Sequence, residues 1–235
     1  MIKQISYIFI LGAGLMACSS VSKKFVSADN MEVSGSNGSN TELSEIIEPY
    51  KDSIEAEMNE VIAVADMDYI VERPSGNLNN WVADAIFSSE TKNKRLSLPA
   101  FCLLNTGGIR STLNKGNITV GDIFKIAPFD NEIVWVRMPV SSLVKIEEYL
   151  IRSGGEPISN AQLADGKLIL GGLRPSSDEV IIITSDYLFN GGDNMDFFKD
   201  NIEVTFTGKL LRDALIEEAR YQEVLIHSTE TRISF

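Results

Sequence analysis

Apolar positions recur at three- and four-residue steps through Leu43, Ile46, Ile47, Tyr50, Ile54, Met58 and Ile62. That period predicts a helix over residues 41–64 with one face packed on a core. Acidic residues near its start suit the helix dipole. Residues 69–72 read as a short extended piece before Arg73-Pro74-Ser75-Gly76. A second helix is predicted over 78–88, capped by Ser75 or Asn77. It carries Asn79, Asn80 and Asp84; whether Asp84 is a surface residue or a buried partner stays open. A continuous apolar run, 98–104, reads as a buried strand. Residues 120–126 read as one or two helical turns stopped by Pro128. A strand follows over 132–138, then an amphipathic helix over 141–153 ended by Gly154-Gly155. Strands are predicted at 168–171 and 180–184. A final helix at 207–220 places Leu210, Leu211, Ala214, Leu215 and Ala219 on one face, and the tail 224–235 reads as strand-like. Helices and strands mix without regular alternation. The fold class is therefore α+β, a single mixed-sheet domain with packed helices over residues 41–235.

The N-terminus has a different pattern. A short positive start is followed by an apolar stretch, 5–16, ending in Leu15-Met16-Ala17-Cys18. The stretch has the length of a signal-peptide core and is too short to span a bilayer. Its end resembles the lipobox of bacterial lipoproteins, in which the Cys becomes the lipidated first residue of the mature chain. Residues 1–18 are therefore expected to be a lipoprotein signal peptide with lipidation at Cys18. Residues 19–40, rich in Ser, Gly and Asn, are expected to be a flexible tether. The expected location is the bacterial cell envelope, on the periplasmic side. Ser19-Ser20 carries no Asp-type retention signal, which favours the outer membrane. The only other cysteine, Cys102, lies in the apolar run and is expected to be a buried core thiol, leaving no intrachain disulfide in the mature protein.

Composition adds two limits. Over 235 residues, 44% are hydrophobic and 23% charged, as in an ordinary globular protein. The formal net charge is −12. That argues against a nucleic-acid polymer as partner, whose binding sites are basic. It leaves room for a small anionic ligand held by one Arg and a few backbone N–H groups.

The candidate chemistry lies after the buried strand, in Asn105-Thr106-Gly107-Gly108-Ile109-Arg110. Glycines leave N–H groups uncovered and allow positive φ, so a ligand can approach closely. Asn105 offers a donor and an acceptor, and Arg110 a cationic fork. Taken alone, this is also how an ordinary strand-to-loop turn looks. A second stretch, Tyr187-Leu188-Phe189-Asn190-Gly191-Gly192-Asp193, repeats the Asn-Gly-Gly pattern. Two such loops, one ending in Arg and one in Asp, suggest two walls of one pocket. Between them Phe129, ahead of Asn131 at a strand start, is either a core residue or a stacking platform; burial statistics for an isolated Phe favour the core.

Taken in order, Asn105-x-Gly-Gly-Ile-Arg110, Val120-Gly121-Asp122-x4-Ala127-Pro128-Phe129-x-Asn131 and Tyr187-x2-Asn190-Gly191-Gly192-Asp193 resemble the C-terminal domain of the 5'-nucleotidase / UDP-sugar hydrolase family. Leu78-x-Asn80-x-Val82-Ala83-Asp84 resembles the family's upstream helix motif. The resemblance covers about residues 41–235. It implies a nucleotide-binding role, with this domain clamping the nucleoside while a separate metallophosphatase domain hydrolyses the phosphate ester. It places substrate contacts on Asn105, Gly107, Gly108, Arg110, Asn131, Asn190 and Gly192. Phe129 and Tyr187 take the places of the two rings that sandwich the base, phenylalanine being more usual at 187. Asp193 takes the place of the carboxylate that accepts from the ribose hydroxyls.

Two departures qualify the match. A substrate-binding Arg that the family commonly carries before the 78–84 motif falls near Pro74 here, with Arg73 one step away. The chain also has a single histidine, His227, and no Asp-x-His, Asn-His-Asp or His-x-His. A two-metal phosphatase needs such clusters, so His227 is expected to be structural. No catalytic residue, metal or cofactor is expected in this chain, and the divalent metals are expected on a partner phosphatase. Whether the chain takes part in hydrolysis stays open. The first expectation is the nucleotide clamp of a split hydrolase that works in nucleotide breakdown. The alternatives are a tethered nucleotide-binding lipoprotein without a catalytic partner, and a domain whose pocket has decayed.

Overall fold

A five-stranded mixed sheet carries the site, and its construction follows from alternating apolar positions. The computed structural model describes residues 41–171 and 177–235. The expected signal peptide, Cys18 and tether lie outside the described residues. In chain order the elements are α1 (Thr41–Met58), β1 (Val61–Ala65), α2 (Asn77–Thr91), β2 (Ala100–Leu103), β3 (Gly116–Thr119), α3 (Val120–Ile126), β4 (Glu132–Pro139), α4 (Leu143–Ser153), β5 (Ile158–Ser159), β6 (Ala161–Ala164), β7 (Lys167–Leu170), β8 (Glu179–Ser185), α5 (Asp186–Phe189), β9 (Glu203–Leu210) and α6 (Leu211–Gln222). The sheet order is β5-β2-β8-β4-β9. Only β2 and β8 pair in parallel within it; the other pairs are antiparallel. Two small antiparallel pairs, β1-β3 and β6-β7, stand apart.

Side chains alternate across the sheet as the period of two requires. Cys102, Ile133 and Ile183 face one core with Trp81, Ile86, Ile123 and Leu215 from α2, α3 and α6. Phe101, Leu103, Val134, Val136 and Ile182 face the other, with Ile146 and Leu150 of α4 and the rings of Phe197 and Phe198. Cys102 is fully buried and unpaired, and burial pushes its thiol pKa well above the usual value. Among the described residues no helix is long and apolar enough to cross a membrane.

Several expectations are corrected. The first helix stops at Met58, and residues 61–65 form a strand paired with β3. Within the compact unit of residues 46–235, the apolar face of α1 is not packed: Ile46, Ile47, Tyr50 and Ile54 are exposed. Helical period is a local property; what covers the face is not. The cap of α2 is Gly76, without a side-chain bond. Asn77 instead accepts from Ile70 N at 2.7 Å, and Ser75 Oγ accepts from Arg232 N at 3.2 Å. The predicted helix 207–220 begins only at Leu211, because residues 203–210 form the edge strand β9. The tail is not a strand; it makes single bridges, Val224 to Val64 and Ile233 to Leu163. Strands β3, β5 and β6 had no counterpart in the sequence reading.

Asp84 proves to be a partner. Arg232 Nη1 and Nη2 donate to its two carboxylate oxygens at 2.8 and 2.6 Å, and Ser159 Oγ donates at 2.5 Å. One carboxylate thereby joins α2, β5 and the tail.

Candidate functional site

Phe101 and Cys102 of β2 lie opposite Ile182 and Ile183 of the parallel strand β8. Each strand runs into one of the two Gly-Gly loops, so both loops leave the same end of the sheet. That pairing brings residues 105–110 and 187–193 together across a long stretch of sequence.

The first loop is a 3-10 turn, Thr106–Gly108, closed by Gly108 N donating to Asn105 O at 3.1 Å. Neither Gly107 nor Gly108 has a positive φ, contrary to the expected use of these glycines. Gly108 is needed for space: a Cβ there would lie 2.7 Å from Asn105 Oδ1. The loop is pinned from below by Glu156, 4% exposed, which accepts from Thr106 N at 2.6 Å. The other oxygen of Glu156 accepts from Arg73 Nη2 at 2.8 Å. Arg73 also donates to Ser153 O. Arg73 is thus committed to bracing the loop and does not line the cleft, so it does not replace the displaced family Arg.

The second loop begins with Ser185, whose Oγ accepts from Leu188 N at 3.2 Å and caps α5. The chain then turns through Gly191 and Asp193, both left-handed, with φ of 90° and 51°. Gly192 lies against the ring of Tyr187; a Cβ there would come within 2.4 Å of it. Tyr149 Oη, from α4, donates to Asp193 O at 3.1 Å and fixes the loop backbone. Burial pushes the Tyr149 phenol up to about 12, with the charges of Glu156 and Asp193 adding to the effect.

The third wall is the α3–β4 connection. A capping box between Thr119 and Asp122 starts α3, and the helix stops before Pro128 as predicted. Phe129 is 47% exposed rather than in the core. Its loop is held by Arg212, whose guanidinium lies 4.2 Å from the Phe124 ring centroid and donates to Asp130 Oδ1 at 2.6 Å. Leu211 N donates to Asn131 O at 2.9 Å. Glu132 N donates to Asp186 Oδ1 at 3.0 Å, tying this wall to α5.

Eight of the ten residues picked from the sequence line one cleft of about 350 Å³: Asn105, Gly107, Gly108, Arg110, Phe129, Asn131, Tyr187 and Asp193. Gly192 acts behind it, as the seat of the Tyr187 ring. Asn190 is exposed at the end of α5 and does not line the cleft. A narrow, mostly apolar recess of about 40 Å³ shares Asn105, Gly108, Phe129 and Asn131 and is walled by Val82, Ile126 and Leu215. Inside the cleft, Asn105 Nδ2 donates to Asp193 Oδ2 at 2.6 Å and Tyr187 Oη donates to Asp193 Oδ1 at 2.8 Å. The hydrogen bond to Asp193, then its charge, raises the Tyr187 pKa. Arg110 donates to Gly107 O at 3.2 Å, with its guanidinium carbon 6.0 Å from the Phe129 ring centroid.

Among the described residues no group of three His, Cys, Asp or Glu side chains converges as metal ligands would. His227 is partly exposed, 3.5 Å from Asp66. This donor set does not fit the two-metal centre implied for the phosphatase half. The residues missed by sequence reasoning are the supports, Glu156, Tyr149 and Arg212. Of the three, only Glu156 has a local signal, as the polar residue after Gly154-Gly155.

The mixed sheet packed between helices is an α+β architecture shared with solved nucleotidase structures. Residues 60–146 match the 5'-nucleotidase, C-terminal domain family. It is 25% identical over 159 residues to an apyrase of Tabanus yao, covering 56% of this chain and 29% of the apyrase. The fold is similar to a 5'-nucleotidase precursor from Thermus thermophilus, with a TM-score of 0.66 and 21% identity, over 82% of this chain and 43% of that one. It is also similar to the NAD nucleotidase of Haemophilus influenzae, with a TM-score of 0.63 and 15% identity, over 83% and 41%. The chain thus spans less than half the length of each of these proteins.

Proposed function

We propose that the cleft binds a nucleoside or nucleotide and that the chain serves as the substrate clamp of a 5'-nucleotidase-type hydrolase system, with a separately encoded metallophosphatase supplying the metals. The observation that carries this reading is the juxtaposition of the exposed Phe129 ring, the Tyr187 ring and the Asp193 carboxylate in one cleft. Aromatic faces hold any base by stacking. A carboxylate accepts charge-assisted hydrogen bonds from sugar hydroxyls. Arg110 at the rim supplies a cation for phosphate. The match of residues 60–146 to the 5'-nucleotidase C-terminal domain family supports a substrate-binding role. On this reading the lipidated Cys18 holds the clamp at the envelope membrane, which incorporation of a labelled fatty acid into wild type but not Cys18→Ser tests.

The test is calorimetric titration with adenosine and AMP beside an assay of phosphate release from AMP with Mn²⁺. Binding without turnover supports a clamp and directs a search for the phosphatase by co-purification. Turnover by the purified chain removes the need for a partner. Failure to bind either ligand counts against the reading.

A further inference from the structure

Arg212 does not line the cleft, yet it holds the residue beside the exposed Phe129 ring. It is 8% exposed. Its guanidinium lies on the Phe124 ring, and Nη2 donates to Asp130 Oδ1. Its Nε is buried and meets no acceptor among the described residues. A buried donor without a partner is rare and costly. The Asp130 side chain, in contrast, is 77% exposed.

Nε–H and one Nη2–H lie on the same edge of a guanidinium, spaced to meet both oxygens of one carboxylate. Asp130 engages only the Nη2 half of that edge. Turning its carboxylate so that Oδ2 meets Nε closes the fork and satisfies the orphan donor. On one side of Asp130, Asn131 is anchored through its carbonyl to Leu211 N. On the other side, Phe129 is exposed. Closing the fork over an empty cleft costs the freedom of this short connection. A base stacked on Phe129 has already removed that freedom, so the second bond forms more readily with ligand bound. Stacking and fork closure then favour each other.

We infer that Arg212 and Asp130 form a latch that closes when a base stacks on Phe129, which makes Arg212 a positioning residue for the ligand. This rests on the nucleoside reading of the cleft.

Asp130→Asn isolates the second bond: the amide oxygen still accepts from Nη2, but the amide nitrogen cannot accept from Nε. Adenosine is the probe because it is uncharged, so losing the Asp130 charge does not itself change its attraction to the cleft. The full chain is titrated by calorimetry as wild type, Asp130→Asn, Arg212→Lys and the double variant, with melting curves beside. Each single variant is expected to bind adenosine about tenfold more weakly, the worth of one hydrogen bond to a charged group. The double variant is expected to be no weaker than the singles, and Asp130→Asn to melt as wild type does. Where Arg212→Lys does not fold, Asp130→Asn decides the point. In NMR spectra the Arg212 Nε–H resonance, identified by its absence from Arg212→Lys, is expected to move on saturation with adenosine in wild type and much less in Asp130→Asn. Unchanged affinity in Asp130→Asn, additive losses in the double variant or a stationary wild-type resonance overturns the latch and leaves the nucleoside reading standing. Absence of adenosine binding by folded wild type overturns the two together.

Discussion

Asn105 Nδ2 lies 2.6 Å from Asp193 Oδ2, joining two loops whose members are 88 residues apart in sequence. The bond makes the two walls a single unit before any ligand arrives. Asn105→Ala and Asp193→Ala are each expected to weaken adenosine binding. Because the two side chains bond each other, a double-mutant cycle on stability should show a coupling of about 1 kcal/mol. A coupling near zero in urea unfolding would mean that the loops are held independently.

Phe129 is nearly half exposed, so its removal should separate binding from folding. Phe129→Ala is expected to cost about 1–3 kcal/mol of nucleoside binding, the usual worth of a stacked base. The melting temperature should barely move. Equal affinity for wild type and variant in calorimetry would show that this ring is not a stacking surface.

Glu156→Ala should act through the first loop. It leaves the Thr106 N–H and the Arg73 guanidinium without their carboxylate partner. A stability loss of about 1–3 kcal/mol is expected, with Glu156→Gln milder because its amide oxygen can still accept from Thr106. Denaturant midpoints for the two variants check the order.

Asp84→Ala removes the carboxylate from Arg232, which is 8% exposed. Stranding a buried guanidinium is expected to cost about 3 kcal/mol. Adding Arg232→Met should recover part of that loss. A double variant less stable than Asp84→Ala would show that Arg232 holds the tail through its bond to Ile158 O instead.

Tyr69 is fully buried, and its hydroxyl donates to Leu225 O at 2.7 Å. Burial, then the charge of Asp66, pushes its pKa up to about 12. The unfolded phenol titrates near 10, so the native state holds this proton more tightly. The stabilisation is fully present below about pH 10 and is lost as pH rises toward 12. Tyr69→Phe should flatten that decline in alkaline unfolding curves. Parallel curves for wild type and variant would rule the assignment out.

The sequence made the cleft-lining residues legible for a specific reason. Asn105, Arg110, Phe129, Tyr187 and Asp193 belong to short motifs, and each motif is written locally. Their order along the chain matched a family pattern, which no single Gly-Gly turn could have done. Supports such as Glu156 and Tyr149 were not legible, because their partners lie 50 and 44 residues away. Residues 207–210 of β9 were taken into the last helix because this edge strand has no fully buried position. With Phe206 51% exposed, no alternation marks it. Leu210 and Leu211 then extend the helical period backwards across the true boundary. The packing assigned to α1 failed in the opposite way: the period was real, but nothing in the compact unit of residues 46–235 covers that face.

The parallel pairing of β2 with β8 also constrains how the protein is made. A ribosome releases β2 and the first loop early, but the opposite wall is synthesised some 80 residues later. Until then the half-built cleft lacks Tyr187 and Asp193. On the nucleoside reading of the cleft, a ligand cannot template the early chain, and truncation before residue 193 is expected to abolish binding outright rather than weaken it by degrees.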